Sequence, residues 1–215
     1  PPREYIFIVD VSGSMHGFPL EVSKKLLRDL IGKLRPQDKF NVLLFAGASQ
    51  LYAERSVTAS QANIRDAIGF IDRQRGGGGT ELLPALQKAL ALKGTEDHSR
   101  TFVIATDGYV SVEKEAYDLI RRNLGEANFF TFGIGSSVNR YLLEGMAHVG
   151  KGISFVATEQ SEASTMAEKF RKYLSNPVLT NISVEFEGFD VYDLEPLDVP
   201  DVFSERPVLV YGKYT

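Results

Sequence analysis

The chain has no cysteine among its 215 residues. Neither a disulfide framework nor thiolate chemistry is available to it, although this absence does not fix the compartment. No apolar run approaches the roughly 20 residues needed to cross a bilayer, so insertion of this segment into a membrane is not expected. No signal-like segment precedes the first strand. The opening at Glu4 reads as the start of a domain cut from a longer, multidomain chain. Positive charge is also scarce: 24 Lys and Arg stand against 28 Asp and Glu, a net −4 that offers no footprint for nucleic acid. The four consecutive glycines at 76–79 are not followed by Lys-Ser or Lys-Thr, which excludes a Walker-type phosphate loop.

What is present is an ordinary globular composition, 43% hydrophobic and 24% charged, long enough for one well-packed core and a small appendage. The acid is unevenly placed. From Asn176 onward eight acidic residues face two basic ones, leaving that segment at −6 and the remainder at +2. The break near Asn176-Pro177 suggests a domain over 1–175 and a β-strand extension over 176–215 that belongs to a neighbouring β module.

Apolar runs predict strands at Glu4–Val11, Lys39–Phe45, Arg100–Thr106, Asn128–Ile134 and Ile153–Ala157. Most are too continuously apolar to have a wet face, the mark of a parallel sheet covered on both sides. Between them, 3.6-residue periodicity predicts helices at about 20–34, 61–73, from Thr80 as N-cap onward, 112–124, 139–149 and 161–174. The first of these turns Leu20, Leu27, Ile31 and Leu34 inward and Lys24 outward, and ends before Pro36. The alternation defines an α/β fold, a doubly wound and mostly parallel sheet flanked by helices. After Pro177 the pattern changes: Val178–Phe186 and Arg206–Tyr214 alternate like antiparallel strands.

Ligands in such folds sit at the carboxyl ends of the strands. Three loops there carry the polar groups of interest. Asp10, Ser12 and Ser14 end the first strand, Thr80 follows the glycines, and Asp107 ends the Arg100–Thr106 strand. Two carboxylates and three hydroxyls are hard oxygen donors. They suit Mg²⁺, with Mn²⁺ or Ca²⁺ as alternatives, and argue against Zn²⁺. A dication held largely by neutral hydroxyls stays electron-poor and can accept one further carboxylate, an Asp or Glu of a partner protein. Gly13 gives Ser12 and Ser14 clearance to turn inward, and the glycine run supplies flexibility beside Thr80. The bland readings are a capped helix start for Asp10/Ser12/Ser14 and for Thr80, and a simple turn for Asp107-Gly108. The agreement of five donors favours the metal. His16, Phe18 and Tyr109 flank these loops and are candidates for a partner-contact rim, or else packing residues. His98 reads as solvated, and His148 as a helix-end residue near the dipole.

D-V-S-G-S-M at 10–15, G-G-G-T at 77–80 and T-D-G at 106–108 together resemble the metal-ion-dependent adhesion site of von Willebrand factor A domains, in order and loop placement over residues 4–174. The segments V-D-V-S-G-S-M, G-G-G-G-T-E-L-L-P-A-L and L-S-N-P-V-L-T-N-I-S-V resemble more closely the A domain of inter-alpha-trypsin inhibitor heavy chains and their bacterial relatives. The resemblance implies that Ser12, Ser14 and Thr80 ligate the metal and that Asp10 and Asp107 do so directly or through water. It implies a divalent-metal-dependent protein-binding domain of adhesion type rather than an enzyme, in an extracellular, cell-surface or periplasmic protein. The competing readings are a structural module with a degenerate site and a Mg²⁺-dependent hydrolase similar to the haloacid-dehalogenase phosphatases. The latter need a second Asp two residues after the nucleophile as general acid, and here that position is Ser12.

Overall fold

A computed structural model describes residues 2–175, 177–179, 182–196, 199, 202–203 and 208–215. Its first elements are β1 (Arg3–Asp10), a single 3-10 turn (Gly13–Met15), α1 (Phe18–Ile31), β2 (Lys39–Phe45), β3 (Ser49–Leu51), β4 (Val57–Thr58), α2 (Gln61–Asp72) and α3 (Leu82–Leu90). There follow β5 (Ser99–Thr106), α4 (Glu113–Asn123), β6 (Asn128–Ile134), α5 (Arg140–Val149), β7 (Ser154–Ala157) and α6 (Gln160–Ser175). The strands form one sheet in the order β3-β2-β1-β5-β6-β7, with β4 also pairing β2. β1, β2, β5, β6 and β7 run parallel, while β3 and β4 are antiparallel additions to β2.

β1 is buried along its whole length because the sheet is covered on both faces. Period-2 geometry sends Ile6 and Ile8 to one side. There they share a core with Leu82 and Leu86 of α3, Ile120 of α4 and Leu142 and Met146 of α5. The buried odd-numbered Tyr5, Phe7 and Val9 face the opposite layer, where α1 packs on the sheet and α2 on α1. Phe102 and Ile104 of β5 belong to the same core as Ile6 and Ile8. Each such side chain, fully buried, contributes ~1.5–3 kcal/mol. The interior of the sheet is therefore the rigid part, and the loops at its carboxyl edge are held from below.

Three helix expectations are corrected. α1 ends at Ile31 rather than Leu34, because Gly32 follows and the chain tightens into i→i−3 bonds from Lys33 and Leu34. Lys24 is not on the wet side: it is buried, with its Nζ 3.1 Å from Glu21 Oε1, so the stem packs while the charge is paired. Thr80 does not cap α3; Glu81 occupies the N-cap position. β3 and β4 escape the sequence pattern because three and two residues are too few to show a period.

The chain divides by compactness into Pro1–Glu168 and Lys169–Thr215, the division falling inside α6. The second unit contains β8 (Pro177–Leu179), β9 (Val191–Glu195), β10 (Val202–Phe203) and β11 (Tyr211–Tyr214), in two antiparallel pairs, β10–β8 and β11–β9. The expected strand at 178–186 is realised only at its start, since 182–190 carries no strand and leaves Val184 and Phe186 exposed. β9 lies instead in the acidic stretch between the two expected strands. Alternation reports suitability for a strand, and only a pairing partner makes one. Positions 180–181 and 206–207 of the two expected strands lie outside the described residues.

Candidate metal centre

β1 has β2 on one side and β5 on the other, so the chain leaves it in two directions and a crevice opens beyond its carboxyl end. The β1–β5 register pairs Ile8 with Ile104 and Val9 with Ala105. The next residues of the two ladders are Asp10 and Thr106, on the same face as Ile8 and Ile104. Both are buried. Thr106 Oγ1 donates to Asp10 Oδ2 at 2.5 Å and accepts from the Gly108 N–H at 2.9 Å. Asp10 Oδ1 accepts from the Ser12 N–H at 2.9 Å. Burial pushes the Asp10 carboxyl above its ordinary range, hydrogen bonds from Ser12 and Thr106 pull it back, and the charge of Asp107 raises it again. Among the described residues no Lys, Arg or His pairs with Asp10.

Ser12 is buried, and its Oγ lies 3.2 Å from the Oγ of exposed Ser14, two residues on. The glycine run is bonded onto this turn. Gly77 N–H donates to Val11 O and Gly13 N–H to Gly78 O, both at 3.0 Å. Gly76 and Gly78 hold φ of +79° and +82°, a region that L side chains adopt only with strain. A Cβ on Gly13 would stand 3.3 Å from Gly78 O. These glycines thus serve close docking of one loop on another, and Thr80 follows two residues after the docked Gly78.

Asp107 is 7% exposed, and its Oδ1 accepts from the Tyr109 N–H at 3.0 Å, a tight Asx turn. Asn139 ties this turn to α5. Its N–H donates to Asp107 O (3.1 Å), and its Nδ2 donates to Val110 O (3.2 Å) and Glu113 Oε1 (2.9 Å). Its Oδ1 caps α5 through the Leu142 N–H at 3.1 Å. The bond from Asn139 holds the Glu113 carboxyl below its usual range.

Asp10, Ser12 and Ser14 are thus joined by hydrogen bonds or close oxygen contact, Asp107 lies next to Thr106 in the same cluster, and Thr80 sits on the loop docked against them. Of the rim candidates, His16 is exposed with Nδ1 3.2 Å from Arg75 O, Phe18 is half-buried at the start of α1, and Tyr109 is 71% exposed. His98 and His148 lie away from these loops in the chain and are half-buried and exposed. Two residues that shape the centre have no role in the sequence reading. Thr106 is the first letter of the T-D-G run, but its bond to Asp10 depends on strand register. Asn139 carries only a helix-start signal. Among the described residues there is no cluster of three or more His, Cys, Asp or Glu. What is gathered here is rich in hydroxyls, which fits a hard cation and not a thiolate or imidazole site.

The fold and these loops define a doubly wound α/β domain with an oxygen-donor cluster at its topological switch point. The family profile of the von Willebrand factor type A domain matches residues 3–156, and the chain belongs to that family of interaction modules. It is 27% identical over 99% of its length to the inter-alpha-trypsin inhibitor heavy chain H3 of Bos taurus, and it spans 25% of that relative. Among solved structures, a von Willebrand factor type A protein from Catenulispora acidiphila superposes with a TM-score of 0.76 at 14% identity, covering 98% of this chain and 55% of that one. Proximal thread matrix protein 1 from the mussel byssus, described with a zinc-occupied MIDAS motif, superposes with a TM-score of 0.60 at 17% identity, over 79% of this chain and 45% of that one.

Proposed function

We propose that this domain binds a partner protein through a divalent cation, with Ser12, Ser14 and Thr80 as hydroxyl ligands and Asp10 and Asp107 as direct or water-bridged ones. The observation that carries this reading is Asp10, a fully buried carboxylate with no cationic partner among the described residues, beside the Ser12–Ser14 oxygen pair and a second buried carboxylate. An isolated buried charge is costly, and a dication offsets it. When bound, the ion supplies an electron-poor centre for an Asp or Glu of the partner. His16, Phe18 and Tyr109 form the rim of that contact. Mg²⁺ is the preferred ion on donor hardness, with Mn²⁺ or Ca²⁺ as alternatives. The zinc in the mussel protein makes Zn²⁺ a necessary competitor in any test.

The domain acts in adhesion and not in catalysis: Ser12 stands where a phosphatase of the competing type needs an acid. The segment 176–215 is part of a neighbouring β module of a longer chain, in an extracellular, cell-surface or periplasmic setting. The test is capture of partners in excess Mg²⁺ against EDTA, with Thr80→Ala alongside. Loss of the partner in both arms is the expected result. Retention in EDTA overturns the reading.

A further inference from the structure

We propose that the partner segment is acidic at more than one residue, and that its second carboxylate is held by Arg73 and Arg75 in a groove beside the metal loops. This rests on the metal-bridged binding proposed above. The groove lies between the β2–β3 hairpin and the α2–α3 connection, and its lining includes Val11, Ala46, Gln50, Arg73, Arg75 and Gly77.

Two bonds fix its position relative to the centre. Gly77 N–H donates to Val11 O, one residue past Asp10, and His16 Nδ1 lies 3.2 Å from Arg75 O, two residues past Ser14. The groove therefore continues the surface on which the partner's first carboxylate lands.

Its chemistry is one-sided. Arg73 and Arg75 are exposed, neither forms an ion pair with a described residue, and no carboxylate lines the groove. The nearest acid in the chain, Asp72, is already bound by Arg28 at 2.7 Å. Two arginines without an ion pair among the described residues thus line the groove, and a guanidinium suits a carboxylate geometrically as well as by charge, since it presents a planar fork of donors. An extended segment advances ~3.3 Å per residue, so a few residues carry a second acid from the ion to this wall.

The experiment uses glycine hexa- to octapeptides, blocked at both ends, with one Glu or with two Glu separated by two, three or four glycines. Binding to the 215-residue protein in Mg²⁺ is read by NMR chemical-shift titration. The expected result is that one spacing binds about three- to tenfold tighter than the single-Glu peptide, the range of one or two exposed ion pairs. That gain should vanish in the R73Q/R75Q double variant and at high salt, while the single-Glu affinity stays unchanged. The R121Q/R122Q variant, which removes two charges from α4, should keep the gain. EDTA should abolish binding of all peptides. If EDTA abolishes binding but no two-Glu peptide gains, this inference falls and the metal reading stands. If binding and the gain both persist in EDTA, the metal reading falls, and with it this inference of a second carboxylate beside a metal-bound first one.

Discussion

Thr106 donates a hydrogen bond from its hydroxyl to Asp10 across the junction of β1 and β5, joining the ends of two strands 96 residues apart in sequence. The same hydroxyl accepts from Gly108, so it couples the carboxylate of one loop to the backbone of the loop that carries Asp107. Replacing it with the near-isosteric valine removes both bonds and leaves buried groups unsatisfied. Thr106→Val should lower unfolding free energy by ~1–3 kcal/mol in EDTA and weaken metal binding as well. Denaturant melts with and without Mg²⁺ measure both effects. Unchanged stability in EDTA would show that water replaces the hydroxyl freely.

Asp10 gives a pH prediction with a definite sign. Its folded carboxyl is raised above the ordinary 3.8, chiefly by burial, so without metal the folded state holds its proton to higher pH than the unfolded state does. The metal-free protein should therefore lose this group's contribution as pH rises from 3.8 through the raised value. Asp10→Asn, which carries no ionisable group there, should lack that loss. Metal should reverse it, because ligation needs the carboxylate. The gap between Mg²⁺ and EDTA melts should widen from pH 4 to 7 in the wild type, reaching ~2.7 kcal/mol when the ion is at 100 times its Kd. Asp10→Asn should show no gap. A gap of equal size in the variant refutes the assignment of Asp10.

The glycine run separates into positions of different worth. Gly78 has φ of +82° and faces Gly47 and Ala46, whereas Gly77 has nothing within 4 Å of an added Cβ. Gly78→Ala should cost ~1–2 kcal/mol and loosen the loop bearing Thr80, and Gly77→Ala should be near neutral. Thermal melts of the pair decide this. Equal effects would mean the loop is not held in the conformation described.

Asn139 can be dissected by one atom. Asn139→Asp keeps the oxygen that caps α5 at the Leu142 N–H but replaces the amide that donates to Val110 and Glu113. It should leave the cap largely intact and repel Glu113, returning the Glu113 titration toward its usual range. Metal affinity should fall several-fold through the displaced Asp107 turn. Asn139→Ala should in addition lose ~1 kcal/mol of cap stability. Carbon-detected NMR titration of Glu113 reads the first effect and calorimetry the second.

The sequence by itself determined the parallel sheet, because strands buried on both faces must be largely apolar along their length, as Tyr5–Val9 is throughout and Phe129–Ile134 is apart from Thr131. It also determined which oxygen donors end the strands, since D-x-S-x-S, G-G-G-T and T-D-G are local spellings. The end of α1 at Gly32 and the pairing of Lys24 with Glu21 are local too, whereas the non-capping of Thr80 goes with the docking of one loop on another. The same holds for the two residues that brace the centre. Thr106 reaches Asp10 only because the β1–β5 register sets them side by side, and Asn139 reaches Asp107 only because α5 is packed beside β6. Local spelling fixes which groups a loop can offer. The partner each group meets depends on strand register and helix packing, which bring together residues that the chain keeps far apart.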